Sequence, residues 1–267
     1  MKTPVVEIRS LLIRRGGRDV LQVERLEVDA GEVLVILGPN GAGKSSLIKC
    51  LLGLARANAG EARVLGRAVR PSSGASLRNL RRRVGYVPQV LAAHSETPLT
   101  VREVAAIGRT GRAGLFRPLN AADWAIVDDW LGRLGLGSLA DAPYAGLSGG
   151  EQRKTLIAKA MVQQPELLLL DEPTANLDLY WREQIVALLE RLYAETGATI
   201  VLVCHELEAI PPCCRRLLVL SDGRPVADGA PETVLDRRMI DALYGSRLKL
   251  LADGRRYAAV PAGEEGA

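Results

Sequence analysis

The strongest chemical signal in the sequence is the run Gly38-Pro39-Asn40-Gly41-Ala42-Gly43-Lys44-Ser45. It matches GxxxxGK[ST] at every fixed position, and it lies between an apolar run, Val33 to Leu37, and a helical pattern from Gly43 to about Leu54. Glycines let the backbone curl until successive N–H groups point inward. The start of the following helix adds unpaired donors, so the loop forms a cradle for an anion. Lys44 can reach the β- and γ-phosphates of a nucleotide. The Ser45 hydroxyl, with Ser46 beside it, can ligate Mg²⁺. Taken alone, the loop establishes nucleotide binding and nothing more.

A second constellation is acidic. The run Leu167 to Leu170 ends in Asp171, followed by Glu172 and Pro173. A buried parallel strand delivers its last residue to the carboxyl edge of the sheet, where open α/β folds bind ligands. Asp171 there can hold Mg²⁺, directly or through water. Glu172 lies one residue past the strand, where it can orient or deprotonate an attacking water.

These groups need a scaffold that brings strand ends together. The first 30 residues alternate polar and apolar around Gly16-Gly17, which predicts a hairpin of half-buried antiparallel strands. Val33 to Leu37, Val84 to Val87, 167–171, 199–204 and 217–220 read as buried strands, and Tyr180 to Thr196 as a helix. Strands alternating with helices predict a parallel sheet. Val90 to Gln163 has helical periodicity interrupted at Gly108, Gly111, Gly114 and Pro118, so a mostly helical insertion is expected. The end, LADGRRYAAVPAGEEGA, reads as a weakly patterned tail. No internal repeat is present.

Composition narrows the function classes. The chain has 267 residues, 48% apolar and 25% charged, which excludes disorder as the main state. No apolar run reaches the roughly 18 residues of a membrane span. The opening MKTPVVEIRS lacks the apolar core of a signal peptide, so a cytosolic location is expected. Cys50, Cys204, Cys213 and Cys214 form no CxxC pair, and His94 and His205 flank no ligand cluster; neither disulfides nor structural zinc are expected. The net charge is +4 and most basic residues are arginine, with clusters at 81–83, 215–216 and 255–256. Because they are scattered, they read as solvated faces rather than a nucleic-acid surface.

Between the two constellations stands Leu147-Ser148-Gly149-Gly150-Glu151-Gln152. LSGGE before a helix resembles the signature of ATP-binding cassette proteins, and the chain resembles an ABC transporter ATPase subunit over about residues 4–230. The resemblance implies an α/β P-loop NTPase core with an N-terminal antiparallel β-subdomain, at 1–88 and 164–230. It also implies an inserted helical signature subdomain at 89–163 and a C-terminal helix and tail at 231–267. It makes Gln89, in YVPQ, the glutamine that contacts Mg²⁺ and the attacking water and senses the membrane partner. His205, in LVCHE, becomes the switch histidine at the γ-phosphate, and Asp178 the acidic residue of the D-loop. Ser148, Gly149 and Gly150 would then grip the γ-phosphate held by a second copy, so two ATP molecules would join two chains head to tail. Hydrolysis would release the pair.

Two residues depart from the family pattern. The position before the first hairpin turn lacks the usual adenine-stacking aromatic; Arg15 stands nearest, and its planar guanidinium can stack on a base. Glu151 replaces the common glutamine. The stretches LTVREVAAIGRTGRAGLFR and ALYGSRLKLL resemble importers of metal ions, iron chelates, haem and cobalamin. That implies transmembrane permease subunits, a substrate-binding protein and a peripheral position on the cytoplasmic side of the membrane. The alternative is a soluble cassette ATPase of iron–sulfur assembly or of DNA- or ribosome-associated work. Only roughly 100 residues separate Gly43 from Ser148, with no heptad run between them, unlike the long coiled coils of chromosome-maintenance ATPases.

Overall fold

The computed structural model describes residues 4–70, 74–89, 99–114, 117–245 and 248–261. The strands β1 (Val6–Arg15) and β2 (Arg18–Val28) pair antiparallel around the Gly16-Gly17 turn. β3 (Val33–Leu37) leads through the glycine-rich loop into α1 (Lys44–Leu51), followed by β4 (Ala59–Val64), β5 (Arg67–Ala68), α2 (Ala75–Arg81) and β6 (Val84–Val87). The helices α3 (Val101–Ala113), α4 (Ala121–Arg133) and α5 (Gly149–Met161) come next. Then follow β7 (Leu167–Asp171), α6 (Leu179–Thr196), β8 (Thr199–Cys204), β9 (Arg216–Ser221) and β10 (Arg224–Gly229). The last described elements are α7 (Pro231–Val234), α8 (Arg237–Tyr244), β11 (Leu248–Asp253) and β12 (Arg256–Pro261).

One sheet has the order β2-β1-β4-β5 and is antiparallel. The larger sheet runs β10-β9-β3-β8-β7-β6, parallel from β9 to β6, with β10 antiparallel at its edge. Its central strands explain the continuous apolar runs. Val33, Val35, Leu168, Leu170, Ile200 and Leu202 face the core under α3 to α6. Leu34, Ile36, Leu167, Leu169, Val201 and Val203 face a second core, under α1 and the antiparallel sheet. A strand covered on both sides must be apolar at every position, because each face removes alternate side chains from water.

The insertion departs from its sequence reading at two glycines. Gly108 and Gly111 lie inside α3; Gly114 ends that helix at φ 109°. Gly108 is there for proximity: a Cβ would stand 1.9 Å from the Lys159 carbonyl oxygen, so α3 and α5 cross nearly backbone to backbone. Capping boxes start α3 (Thr100 with Glu103), α4 (Asn120 with Asp123) and α5 (Ser148 with Glu151). Residues 90–98, 115–116 and 246–247 lie outside the described residues, so His94 and parts of both importer-like stretches do too.

The expected weakly patterned tail is instead a hairpin. β11 pairs with β12, Tyr257 is buried, and Leu248 and Leu250 pack on the core. Its alternation is short and half-exposed, so the pattern is faint in sequence. The arginine clusters are exposed or half-exposed, as solvated faces require, and several of them also have partners. Arg81 donates to the Leu52 and Gly53 carbonyls, Arg83 forms a two-pronged pair with Glu166, Arg216 does so with Asp228, and Arg256 pairs with Glu183. All four cysteines are free and buried, and burial pushes their thiols up, Cys50 and Cys213 each to about 11.

Candidate functional site

Four neighbouring parallel strands, β3, β8, β7 and β6, end at one edge of the larger sheet. Each is followed at once by a residue that could do chemistry: the glycine-rich loop after β3, His205 after β8, Glu172 after β7, and Gln89 two residues beyond β6.

The loop is shaped by its glycines. A Cβ on Gly38 would lie 2.2 Å from the Leu220 carbonyl oxygen. Gly41 and Gly43 have φ of 86° and 94°, the left-handed region that favours glycine. Ala42 N–H donates to the Pro39 carbonyl at 3.2 Å, and Asn40 is exposed at the tip. α1 has Gly43 as its N-cap and no side-chain cap, like the short helices α2 and α7, whereas α3, α4, α5, α6 and α8 each have one. An uncapped first turn, with Ser46 buried in it, leaves backbone donors for an anion.

Lys44 is only 3% exposed. Its Nζ donates to the carbonyls of Gly38 at 2.7 Å and Pro39 at 2.9 Å, and stands 3.7 Å from Glu172 Oε1. Burial pushes its pKa down, and the negative charge of Glu172 is the largest effect opposing this. The Ser45 hydroxyl donates to Asp171 Oδ1 at 2.9 Å. Burial pushes the Asp171 carboxyl up, opposed first by that hydrogen bond.

Glu172 is the hub. It is 5% exposed and has φ 49°, a costly backbone for a residue with a Cβ. Its N–H is fixed to the Val203 carbonyl at 3.0 Å. Gln89 Nε2 donates to Glu172 Oε2 at 2.8 Å. His205 Nδ1 lies 3.2 Å from the same oxygen, buried, but outside hydrogen-bond geometry. The structure thus brings together Lys44, Ser45, Gln89, Asp171, Glu172 and His205.

The remaining expected residues stand elsewhere. Ser148 caps α5: its N–H and its hydroxyl both donate to Glu151 Oε2, at 2.9 and 2.7 Å. Those hydrogen bonds hold the Glu151 carboxyl below the usual range. Gly149 and Gly150 have local reasons too. A Cβ on Gly150 would meet the Trp181 ring at 1.9 Å, and one on Gly149 would touch Leu177 at 3.4 Å. Asp178 caps α6 by accepting from Trp181 N–H at 2.8 Å. Arg15 is exposed at the end of β1, opposite Arg18. Its hairpin flanks the loop, since a Cβ on Gly43 would lie 2.6 Å from the Val20 carbonyl oxygen.

Sequence reading missed Arg153. This buried guanidinium on α5 donates to the carbonyls of Pro88 at 2.7 Å and Gln89 at 3.2 Å. It ties the helix that begins at Ser148 to the backbone that carries Gln89. Its place one turn into that helix was the only hint. Trp181, which packs on Gly150 and lies under Lys154 Nζ at 5.3 Å, left no readable signal.

Comparison with known proteins places the chain in a family. The sequence profile described as ABC transporter matches residues 21–175. The zinc import ATP-binding protein of Alkalilimnicola ehrlichii is 35% identical over 246 residues, 92% of this chain and 85% of that one. The hemin import ATP-binding protein of Streptomyces coelicolor is 38% identical, covering 93% and 86%. The manganese transport system ATP-binding protein of Bacillus subtilis is 33% identical, covering 93% and 95%. In fold, the chain superposes on a metal-chelate type ABC transporter in an inward-facing conformation, with a TM-score of 0.81 at 24% identity over 98% of this chain and 99% of that one. With a profile match over more than half its length and relatives similar nearly end to end, the chain belongs to the ABC transporter family.

Proposed function

We propose that this chain is the ATP-binding and ATP-hydrolysing subunit of an import system, closing head to tail with a second copy and driving separate transmembrane permease subunits. The observation that carries the chemistry is the convergence of Lys44, Gln89 and His205 on Glu172, beside the Ser45–Asp171 pair. The uncapped start of α1 and Lys44 receive the phosphates; Lys44 exchanges its loop carbonyls for phosphate oxygens. Glu172 accepts the proton of the attacking water, with Gln89 and His205 holding its carboxylate and the water in line. Ser148, Gly149 and Gly150 of the second copy complete the γ-phosphate contacts. Arg15 offers a guanidinium plane to the base.

The donor set also suits Mg²⁺. Ser45 Oγ and Asp171 Oδ1 are adjacent hard oxygens, with Gln89 nearby through Glu172, and no group of three or more His, Cys, Asp or Glu forms a cage among the described residues. Ser45 and Asp171 would hold such a cation, with Gln89 close by, and when bound it would supply charge neutralisation at the phosphates.

The relatives named for zinc, manganese and hemin support a metal ion or metal chelate as cargo; a substrate-binding protein is the proposed source of that cargo. No helix among the described residues is long and apolar enough to cross a membrane; the similarity to import ATP-binding proteins supports a peripheral position at the cytoplasmic face. A cleft between α2, α3 and α5, lined by Arg82, Ile107, Arg117 and Lys159, offers the permease a basic, part-apolar surface. Co-expression with its permease should yield a membrane complex whose ATPase rises when cargo-loaded binding protein is added to vesicles. Stimulation by DNA or ribosomes, with no membrane protein co-purifying, would instead favour the soluble alternatives.

Lys44→Ala should weaken ATP binding by roughly fiftyfold, the loss of one charge-assisted phosphate contact. Calorimetry on the purified chain checks this, and unchanged affinity would remove Lys44 from the cradle.

A further inference from the structure

The hydrolytic site is held from behind by the C-terminal segment. Tyr244, the last residue of α8, donates its hydroxyl to the His205 carbonyl at 2.8 Å. Two further ties clamp the same region. Ala259 N–H in β12 donates to Glu208 Oε1 at 3.2 Å, within the short turn Leu207–Ala209 that follows His205. Arg256 pairs with Glu183 on α6. On its other side the His205 segment is fixed by Glu206, which pairs with Arg182 of α6 at 3.1 Å.

The His205 ring lacks comparable anchors. Its Nδ1 is buried near Glu172 with no hydrogen-bond partner, and its Nε2 lies 3.8 Å from Glu206 Oε1. The placement of the ring therefore depends on its main chain, and the one side chain that grips that main chain at His205 itself, among the described residues, is Tyr244. Tyr244 is half-buried against the main core, so its hydroxyl is well located.

We propose that Tyr244 is a positioning residue for His205, and that through it the α8–β11–β12 segment sets the histidine's placement against Glu172. This rests on the reading of Glu172 and His205 as hydrolytic residues. Loss of the hydroxyl leaves the cradle untouched, because among the described residues the Tyr244 hydroxyl bonds the His205 carbonyl and not the glycine-rich loop or Asp171. The effect belongs in kcat, not in the KM for ATP.

The test compares full-length Tyr244→Phe with the native protein. One hydrogen bond's worth of misplacement lowers kcat about fivefold, with KM for ATP within about twofold. Tyr193→Phe is the control. Tyr193 makes the same kind of bond, to the Gly31 carbonyl at 3.0 Å, but at the opposite end of the sheet from the site. It should leave kcat unchanged. The chain has only two histidines, so selectively labelled imidazole NMR resolves His205 from His94, with His94→Gln assigning the signals. Tyr244→Phe should move or broaden the His205 signal. An unchanged His205 signal, an unchanged kcat, or an equal kcat loss in Tyr193→Phe would each overturn the proposal. His205→Ala separates this from the broader reading: if that variant keeps native turnover, the assignment of His205 fails, whereas if it is inactive and Tyr244→Phe is normal, only the role of Tyr244 fails.

Discussion

Glu172→Gln should lower ATP turnover by roughly a thousandfold, the scale of losing a positioned general base, while ATP affinity is kept or improved. The amide keeps the shape of the carboxylate and can still accept from Gln89 Nε2, now 2.8 Å away. It cannot take a proton from water. It also removes a negative charge 3.7 Å from Lys44 Nζ, freeing the ammonium for phosphate and easing repulsion of the γ-phosphate. With hydrolysis blocked, two copies joined by two ATP molecules have no route to separate. Gel filtration in ATP should show a persistent dimer, and removing ATP should return the monomer. Native turnover would displace Glu172 from its role, and a monomer that binds ATP but never pairs would remove the head-to-tail arrangement.

Ser148→Arg should be nearly as damaging, at least a hundredfold in turnover, for a reason invisible within one chain. Ser148 is exposed, so the larger side chain fits without a clash. The local cost is one helix cap, about 1 kcal/mol. The chain's own cradle leads into α1, which packs on the opposite face of the larger sheet from α5, so it is unaltered and should bind ATP normally. The damage comes from placing a long cation where the second copy's γ-phosphate must meet backbone donors. Mixing Ser148→Arg with Lys44→Ala sharpens the test. In the mixed dimer one site pairs an intact Lys44 with an intact Ser148, so part of the activity should return. Native turnover by Ser148→Arg alone, or a mixture as inactive as its parts, would show that the α5 start does not complete a neighbour's site. Glu151 adds one detail. Its carboxylate engages both the N–H and the hydroxyl of Ser148, so these donors must turn from Glu151 to the incoming phosphate.

The chemistry was legible in sequence because it depends on local spacing. Gly38 to Ser45 must be contiguous to fold a cradle, and Asp171-Glu172 must directly follow a buried strand, so both survive in one dimension. The same holds for β3, β7 and β8: burial on two faces requires an uninterrupted apolar run, and such a run is unmistakable. What depended on long-range packing was not legible. Gly108 reads as a helix breaker until the Lys159 carbonyl is seen at its side. The hairpin β11–β12 has too little one-sided burial to print a period. Arg153, Trp181 and Tyr244 act through carbonyls and rings brought to them from up to 65 positions away, and no spacing rule encodes such partners. The sequence by itself determined which groups could bind and hydrolyse a nucleotide, because each motif, 38–45 and 171–172 among them, is contiguous along the chain. Only the tertiary structure decided that Lys44, Gln89 and His205 converge on one carboxylate, because the order β3-β8-β7-β6 places side by side strand ends that are far apart in the chain.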